Sequence, residues 1–344
     1  MTKLYSLGLG VGTQNSKGEW LEVFYPKPIL NPEDAVATAF IDTLGYTGGN
    51  VAIDLELSKI DALTSALKNV GAEELASLCT TLRSSTRPVV VTLLDSDAAP
   101  SSVPEGYLKL QLISHRLVKP HGTDLTGLFG VLPNVAWTNE GAIDIEELAD
   151  RQLQARIAGK LLSVDCVDKF PKMTDYIVPQ GVRIADTARV RLGAHIGTGT
   201  TIMHEGFVNF NAGTLGTSMV EGRISSGVTV GEGSDLGGGC STMGTLSGGG
   251  KVVISVGKES LIGANAGTGI PLGDRCIIES GLYITAGTKL TLLDEKNQPV
   301  ETVKARDLAG KSDLLFRRNS MTGGVECKTN KSAIALNEEL HKNN

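Results

Sequence analysis

From position 178 the chain places a β-branched aliphatic residue at every sixth position for six steps: Val178, Ile184, Val190, Ile196, Ile202 and Val208. A small or branched residue (Val182, Ala188, Ala194, Thr200) follows four places after each of the first four. The thread resumes downstream as Ile224, Val230, Leu236, then Val256, Ile262, then Leu272, Ile278, Ile284, Leu290. A period of six fits neither a 3.6-residue helix nor an alternating strand. It fits a hexapeptide solenoid in which each unit makes one short strand and one corner, with the aliphatic side chain pointing inward onto its counterpart in the next coil. Gly197, Gly257, Gly263 and Gly273 directly follow inward positions and suit corners where a Cβ would obstruct.

Three units close one coil of about 18 residues. The expected fold is mainly β: a left-handed parallel β-helix over 173–291, an exception to the usual right-handed crossover, with a Gly-rich inserted loop at 237–255. Residues 1–172 read as an α/β N-terminal domain. Ile53 to Val70 and Asp144 to Ala158 carry helical spacing, while Pro88 to Leu94 and Tyr107 to Ile113 read as strands. The run Gly8 to Thr13 lacks the lysine and the following helix of a phosphate loop and reads as half of a β-hairpin. A small C-terminal extension over 292–344 contains a hairpin (Lys289 to Leu293 and Val300 to Lys304), a basic segment (Lys311 to Ser320) and a short helix (Ser332 to His341).

Composition narrows the function. A net charge of −6 without a basic run disfavours nucleic acid. No apolar stretch approaches the ~18 residues needed to cross a bilayer, and the expected compartment is the cytoplasm. Cys79, Cys166, Cys240, Cys276 and Cys327 are odd in number and widely spaced, so they read as reduced buried thiols rather than a disulfide framework or a metal pair. Chemistry is expected where the six-residue thread breaks. One break is Gly237 to Ser241 with Gly248 to Gly250, and the other lies between Thr214 and Ile224, where Glu221-Gly222-Arg223 occupies a phase shift of four. A corner glutamate on a solenoid can equally be a solvated surface residue.

The runs Met203 to Thr214, Val220 to Arg223 and Ser114 to Gly122 together resemble the long, actinobacterial and pseudomonad-type branch of the tetrahydrodipicolinate N-succinyltransferases. The likeness covers about 105–325. It implies transfer of succinyl from succinyl-CoA to the amino group of ring-opened, hydrated tetrahydrodipicolinate, a step toward diaminopimelate and lysine. A protonated amine cannot attack a thioester, so a base or an acyl relay is needed. The resemblance puts Glu221 in one of those two roles, and the Gly222 N–H is a plausible oxyanion donor.

The resemblance also implies substrate or acyl-donor contact for Arg223, whose fork suits a carboxylate, and CoA contact for Gly238, Ser241, Ala264, Glu279, Ser280 and Gly287. It puts Lys304, Arg317, Arg318, Asn319 and Ser320 near the nucleotide. It implies a homotrimer with active sites between subunits, and Glu205 near the threefold axis as a Mg2+ ligand, the alternative being three solvated glutamates around a wet channel. His195 and His204 are one short of the three-histidine zinc set of a hexapeptide carbonic anhydrase. Two further readings remain: a solenoid that only mediates assembly, and a hexapeptide acyltransferase with another donor or amino acceptor.

Overall fold

The six-residue thread produces stacking that can be followed residue by residue. In this computed structural model, which describes residues 3–244 and 252–329, short parallel strands fall into three sheets that the chain visits in rotation. On the first sheet Ile184, Ile202, Val220, Leu236, Ile262, Ile278 and Phe316 lie in successive register. On the second, Val190, Val208 and Ile224 stack in the same way. On the third, Ile196, Thr214, Val230 and Val256 do so. Nearly all these aliphatic side chains are fully buried. Burying each contributes roughly 1.5–3 kcal/mol, so a column of them holds one coil on the next.

Threonines interrupt the apolar columns without leaving a polar atom unsatisfied. Thr214 Oγ1 pairs with Thr200 Oγ1 at 2.7 Å and accepts from the Gly197 N–H at 2.9 Å. Thr268 Oγ1 donates to the Ile270 carbonyl at 2.7 Å. Such pairing removes the penalty of a buried hydroxyl.

The thread begins later than its sequence suggests. Val178 is 64 % exposed, because the first-sheet ladder starts at Arg183–Ile184 and no coil lies beneath Val178 to cover it. The interruption is also narrower than 237–255. Gly237 donates to the Ile262 carbonyl, Cys240 donates to that of Gly237, and Ser241–Thr242 is a ladder strand. The excursion therefore starts after Thr242, and the chain rejoins the third sheet at Ser255–Val256.

The C-terminal strands continue the first sheet. Lys289–Leu293 and Pro299–Lys304 form the expected antiparallel hairpin, and Leu314–Arg318 pairs with both Ile277–Ile278 and Val325–Thr329. Phe316 is fully buried and anchors the basic segment over Ile278. The expected helix at Ser332 to His341 lies outside the described residues.

The chain divides into two compact units, one of residues up to Leu117 with Thr123–Pro171, the other of Val118–Gly122 with everything from Lys172. In the first unit, Ser6–Gln14 and Trp20–Phe24 make the expected hairpin, and Val89–Leu94 pairs with Ser6–Gln14 at the centre of the sheet. Helices Leu57–Asn69 and Ile145–Ile157 match the helical spacing, while Ile53 and Asp54, which begin the first helical stretch, belong to the strand Val51–Asp54.

Tyr107 to Ile113 is not a strand. It belongs to the helix Val103–Ser114, whose first turn carries Pro104 and whose residues from 104 to 114 are all buried. The apparent alternation comes from Lys109 and Gln111, polar residues that are buried because partners await them. Lys109 Nζ meets Asp97 Oδ1 at 2.5 Å and the Ala98 carbonyl at 2.6 Å, and Gln111 Nε2 donates to the Val23 carbonyl at 2.8 Å. Four cysteines are buried as expected, but Cys166 is exposed because its strand Val164–Asp168 has no wholly buried residue.

Candidate active site

Between the first and second sheets the chain takes four residues from Val220 to Ile224, where a regular unit takes six. The short corner is still tied to the next coil: Glu221 N–H donates to the Leu236 carbonyl at 2.8 Å, and Arg223 N–H to that of Cys240 at 2.8 Å. The Glu221 carbonyl accepts from Gly239 N–H at 3.2 Å. With the backbone held on both sides, the Glu221 side chain is exposed and directed along the corner toward Gly238.

Gly222 sits where the corner is tightest. A Cβ there would come within 2.3 Å of Cys240 Sγ and 2.7 Å of the Cys240 carbonyl, so no side chain fits. Gly238 is bare for a different reason: its nearest neighbours are the carboxylate atoms of Glu221, with Oε2 3.3 Å from where a Cβ would stand. Burial pushes the Cys240 thiol up to about 12, although Arg223 nearby works the other way, so the thiol stays protonated beside the site.

The register carries the same corner upward. Gly238, Ala264 and Ser280 occupy equivalent positions in successive coils, each following a stacked residue of the first sheet by two places. Ala264 and Ser280 are exposed, and the Ala264 carbonyl accepts from Gly281 N–H at 2.8 Å. One strand further on, Arg223, Ser241, Gly267 and Tyr283 form a second row. Arg223 Nη2 donates to Ser241 Oγ at 2.7 Å, which aims the guanidinium along the row. The Tyr283 ring covers Gly267, where a Cβ would be 2.3 Å from Cε2. Tyr283 is absent from the sequence-based set, although an exposed aromatic at an outward position was a usable signal in so aromatic-poor a chain.

At the upper end Glu279 Oε2 accepts the Arg318 N–H at 2.6 Å. This ties the strand that carries Arg317 and Arg318 to the equivalent corner three coils beyond Glu221. Arg317 is paired with Glu326, Nη2 to Oε2 being 2.9 Å. Gly287 is exposed with open space around it, and the Lys304 backbone N–H donates to Asp307 Oδ2 at 3.2 Å. No hydrogen bond or ion pair among the described residues links either of them to the corner.

Glu205 lies on the corner one coil below Glu221, is exposed, and accepts from His204 Nδ1 at 2.9 Å. Among the described residues no group of three or more His, Cys, Asp or Glu could hold a metal ion. His195 Nδ1 is 2.8 Å from the Thr214 carbonyl and 7 % exposed, so it is not arranged with His204 as a zinc pair.

Comparison with known proteins agrees with this architecture. A family model described as tetrahydrodipicolinate N-succinyltransferase middle matches residues 132–172, and one described as hexapeptide repeat of succinyl-transferase matches 253–286. A crystal structure from Campylobacter jejuni, assigned as a 2,3,4,5-tetrahydropyridine-2-carboxylate N-succinyltransferase, superposes with a TM-score of 0.90 at 34 % identity, covering 97 % of this chain and 94 % of that one. The 2,3,4,5-tetrahydropyridine-2,6-dicarboxylate N-succinyltransferase of Pseudomonas putida is 67 % identical over 341 residues, and that of Vibrio cholerae 62 % over 340, each alignment covering 99 % of both chains. With identity this high from end to end, the chain belongs to the 2,3,4,5-tetrahydropyridine-2,6-dicarboxylate N-succinyltransferase family.

Proposed function

We propose that this chain transfers succinyl from succinyl-CoA to the amino group of 2-amino-6-oxopimelate, the ring-opened form of tetrahydrodipicolinate, giving N-succinyl-2-amino-6-oxopimelate and CoA. The observation that carries the reading is the shortened corner at 220–224. It sets a carboxylate (Glu221), a carboxylate-binding fork (Arg223) and a row of small residues (Gly238, Ala264, Ser280) side by side.

Glu221 takes a proton from the substrate ammonium, and the freed amine attacks the thioester carbonyl to form the C–N bond. The carbonyl oxygen becomes an oxyanion, for which the Gly222 N–H, without a hydrogen-bond partner among the described residues, is the donor. Collapse breaks the C–S bond, and the thiolate leaves with the second amine proton. Direct attack is preferred over an acyl relay through Glu221, because an anhydride is a more reactive acyl donor than the thioester it would be made from. Arg223 binds a carboxylate of the acceptor. The pantetheine arm lies along Gly238, Ser241, Ala264, Ser280 and Gly287, with Glu279 beside it and Lys304 and residues 317–320 at the nucleotide end.

The assembly we propose is a cytoplasmic homotrimer of left-handed solenoids with each site shared by two subunits. No helix among the described residues is long and apolar enough to cross a membrane. One Glu205 per chain does not make an ion site. Three around a threefold axis would offer the hard oxygen donors that magnesium takes, neutralising carboxylates that otherwise repel. No chemical step depends on that ion. A thiol-release assay with the authentic acceptor tests the function: succinyl-CoA should turn over far faster than acetyl-CoA. Equal rates, or turnover of a different amino acceptor only, would overturn it.

A further inference from the structure

We propose that Glu326 is a positioning residue for the donor nucleotide: it takes up the charge of Arg317 and the amide of Asn319, leaving Arg318 as the cation that meets a phosphate. This rests on the reading that the nucleotide end of succinyl-CoA reaches residues 317–320. Arg317 and Glu326 are direct cross-strand partners. Arg317 Nε and Nη2 reach Glu326 Oε2 at 3.0 and 2.9 Å, and Asn319 Nδ2 donates to Oε1 at 2.7 Å. The Glu326 side chain is only 13 % exposed. The Asn319 amide, and then the Arg317 guanidinium, hold the Glu326 carboxyl below the usual carboxylate range against the opposing effect of burial.

Asn319 is used at both ends. Its Oδ1 accepts from the N–H groups of Met321 and Thr322 at 2.9 and 3.1 Å, and its backbone N–H donates to the Gly324 carbonyl at 2.8 Å. It therefore holds the turn: both lone pairs of Oδ1 and one of the two Nδ2 hydrogens are already engaged. Arg318 is placed differently. Its N–H is fixed by Glu279, and Nη1 donates to the Gly323 carbonyl at 3.0 Å. The rest of its fork, on an exposed residue, has no partner among the described residues. A phosphate approaching Arg317 meets a neutralised pair, whereas at Arg318 it meets a guanidinium that no carboxylate among the described residues neutralises, with the Nε–Nη2 edge suited to bidentate contact.

Donor KM, acceptor KM and kcat of the full-length enzyme, with calorimetric binding of CoA, test this on Arg317→Ala, Arg318→Ala, Glu326→Ala, Glu326→Gln and the Arg317→Ala/Glu326→Ala double variant. Arg318→Ala should raise donor KM and CoA Kd about tenfold, the size of a lost charged hydrogen bond, with acceptor KM and kcat held. Glu326→Ala should raise donor KM about threefold as the turn loosens, and Glu326→Gln, whose amide oxygen still accepts from Asn319, should recover most of that. The double variant should be no worse than Glu326→Ala, because the two residues act as one unit. The assignment is overturned if Arg317→Ala weakens the donor as much as Arg318→Ala while Glu326→Ala leaves donor KM unchanged or lowers it. If neither Arg318→Ala nor Glu326→Ala moves donor KM, the nucleotide reading itself falls, and the assignment with it.

Discussion

The carboxylate of Glu221 rests on the bare backbone of Gly238, one coil further along the solenoid. A methyl group at 238 would stand 3.3 Å from Oε2 and 3.4 Å from Cδ, tighter than side chains usually pack. Gly238→Ala should therefore move the carboxylate while leaving the stack intact. We expect kcat/KM to fall about tenfold or more, a displacement of this kind being costly for a positioned base, with a melting temperature within about a degree of the parent, as for other surface changes. Steady-state kinetics beside thermal unfolding check it; unchanged kinetics would mean the carboxylate does not work from where it lies.

Glu221→Gln removes the proton acceptor and keeps the shape. The expected loss in kcat is about 10²–10⁴-fold, the usual range for a general base, with little change in stability because the side chain is exposed. A correctly assembled Glu221→Gln enzyme that retains most of its activity would take Glu221 out of the mechanism.

Gly222→Ala should behave in the opposite way. Its methyl would be driven into Cys240 Sγ and the Cys240 carbonyl, an overpacking worth about 1–3 kcal/mol. Denaturant unfolding should show the destabilisation directly, whereas Gly238→Ala shows none. Equal stability of the two variants would contradict the geometry.

His115 gives the first unit a dependence on pH. Burial pushes its imidazole down to about 4 from an ordinary 6.5, and Nε2 has no hydrogen-bond partner among the described residues. The unfolded chain takes up a proton below about 6.5 while the folded one does so only near 4. Stability is thus full above pH 6.5 and is lost as pH falls toward 4. Solvent reaches part of the ring, so the effect is on the order of 1 kcal/mol rather than the whole linkage value. His115→Phe should lose less melting temperature between pH 7.5 and pH 5 than the parent. Parallel losses in the two proteins would rule this out.

The solenoid was legible because an inward side chain every six residues leaves a period that no helix or flat strand shares. Thr214, Thr242 and Thr268 were invisible to that pattern: they sit in inward positions, and only internal hydrogen-bond partners make a hydroxyl acceptable there. The helix Val103–Ser114 was misread for the same reason, since Lys109 and Gln111 alternate with apolar residues yet are buried with them. At the candidate site, the phase shift at Glu221 marked the corner from sequence alone. Glu326 left no such trace, because its meaning comes from an antiparallel register that sets it opposite Arg317.

The short corner has a consequence for how the coils find one another. A repeat of identical turns can slip by one turn and still match inward residue to inward residue, since each turn contacts only its neighbours. Here successive turns differ in perimeter: Val220 follows Ile202 by eighteen residues, Leu236 follows Val220 by sixteen, and Ile262 follows Leu236 by twenty-six. The unequal spacings act like the teeth of a key. A slipped turn would set the short corner and the long excursion opposite neighbours other than their own, so the same missing residues that expose Glu221 also mark one turn of the chain apart from the rest.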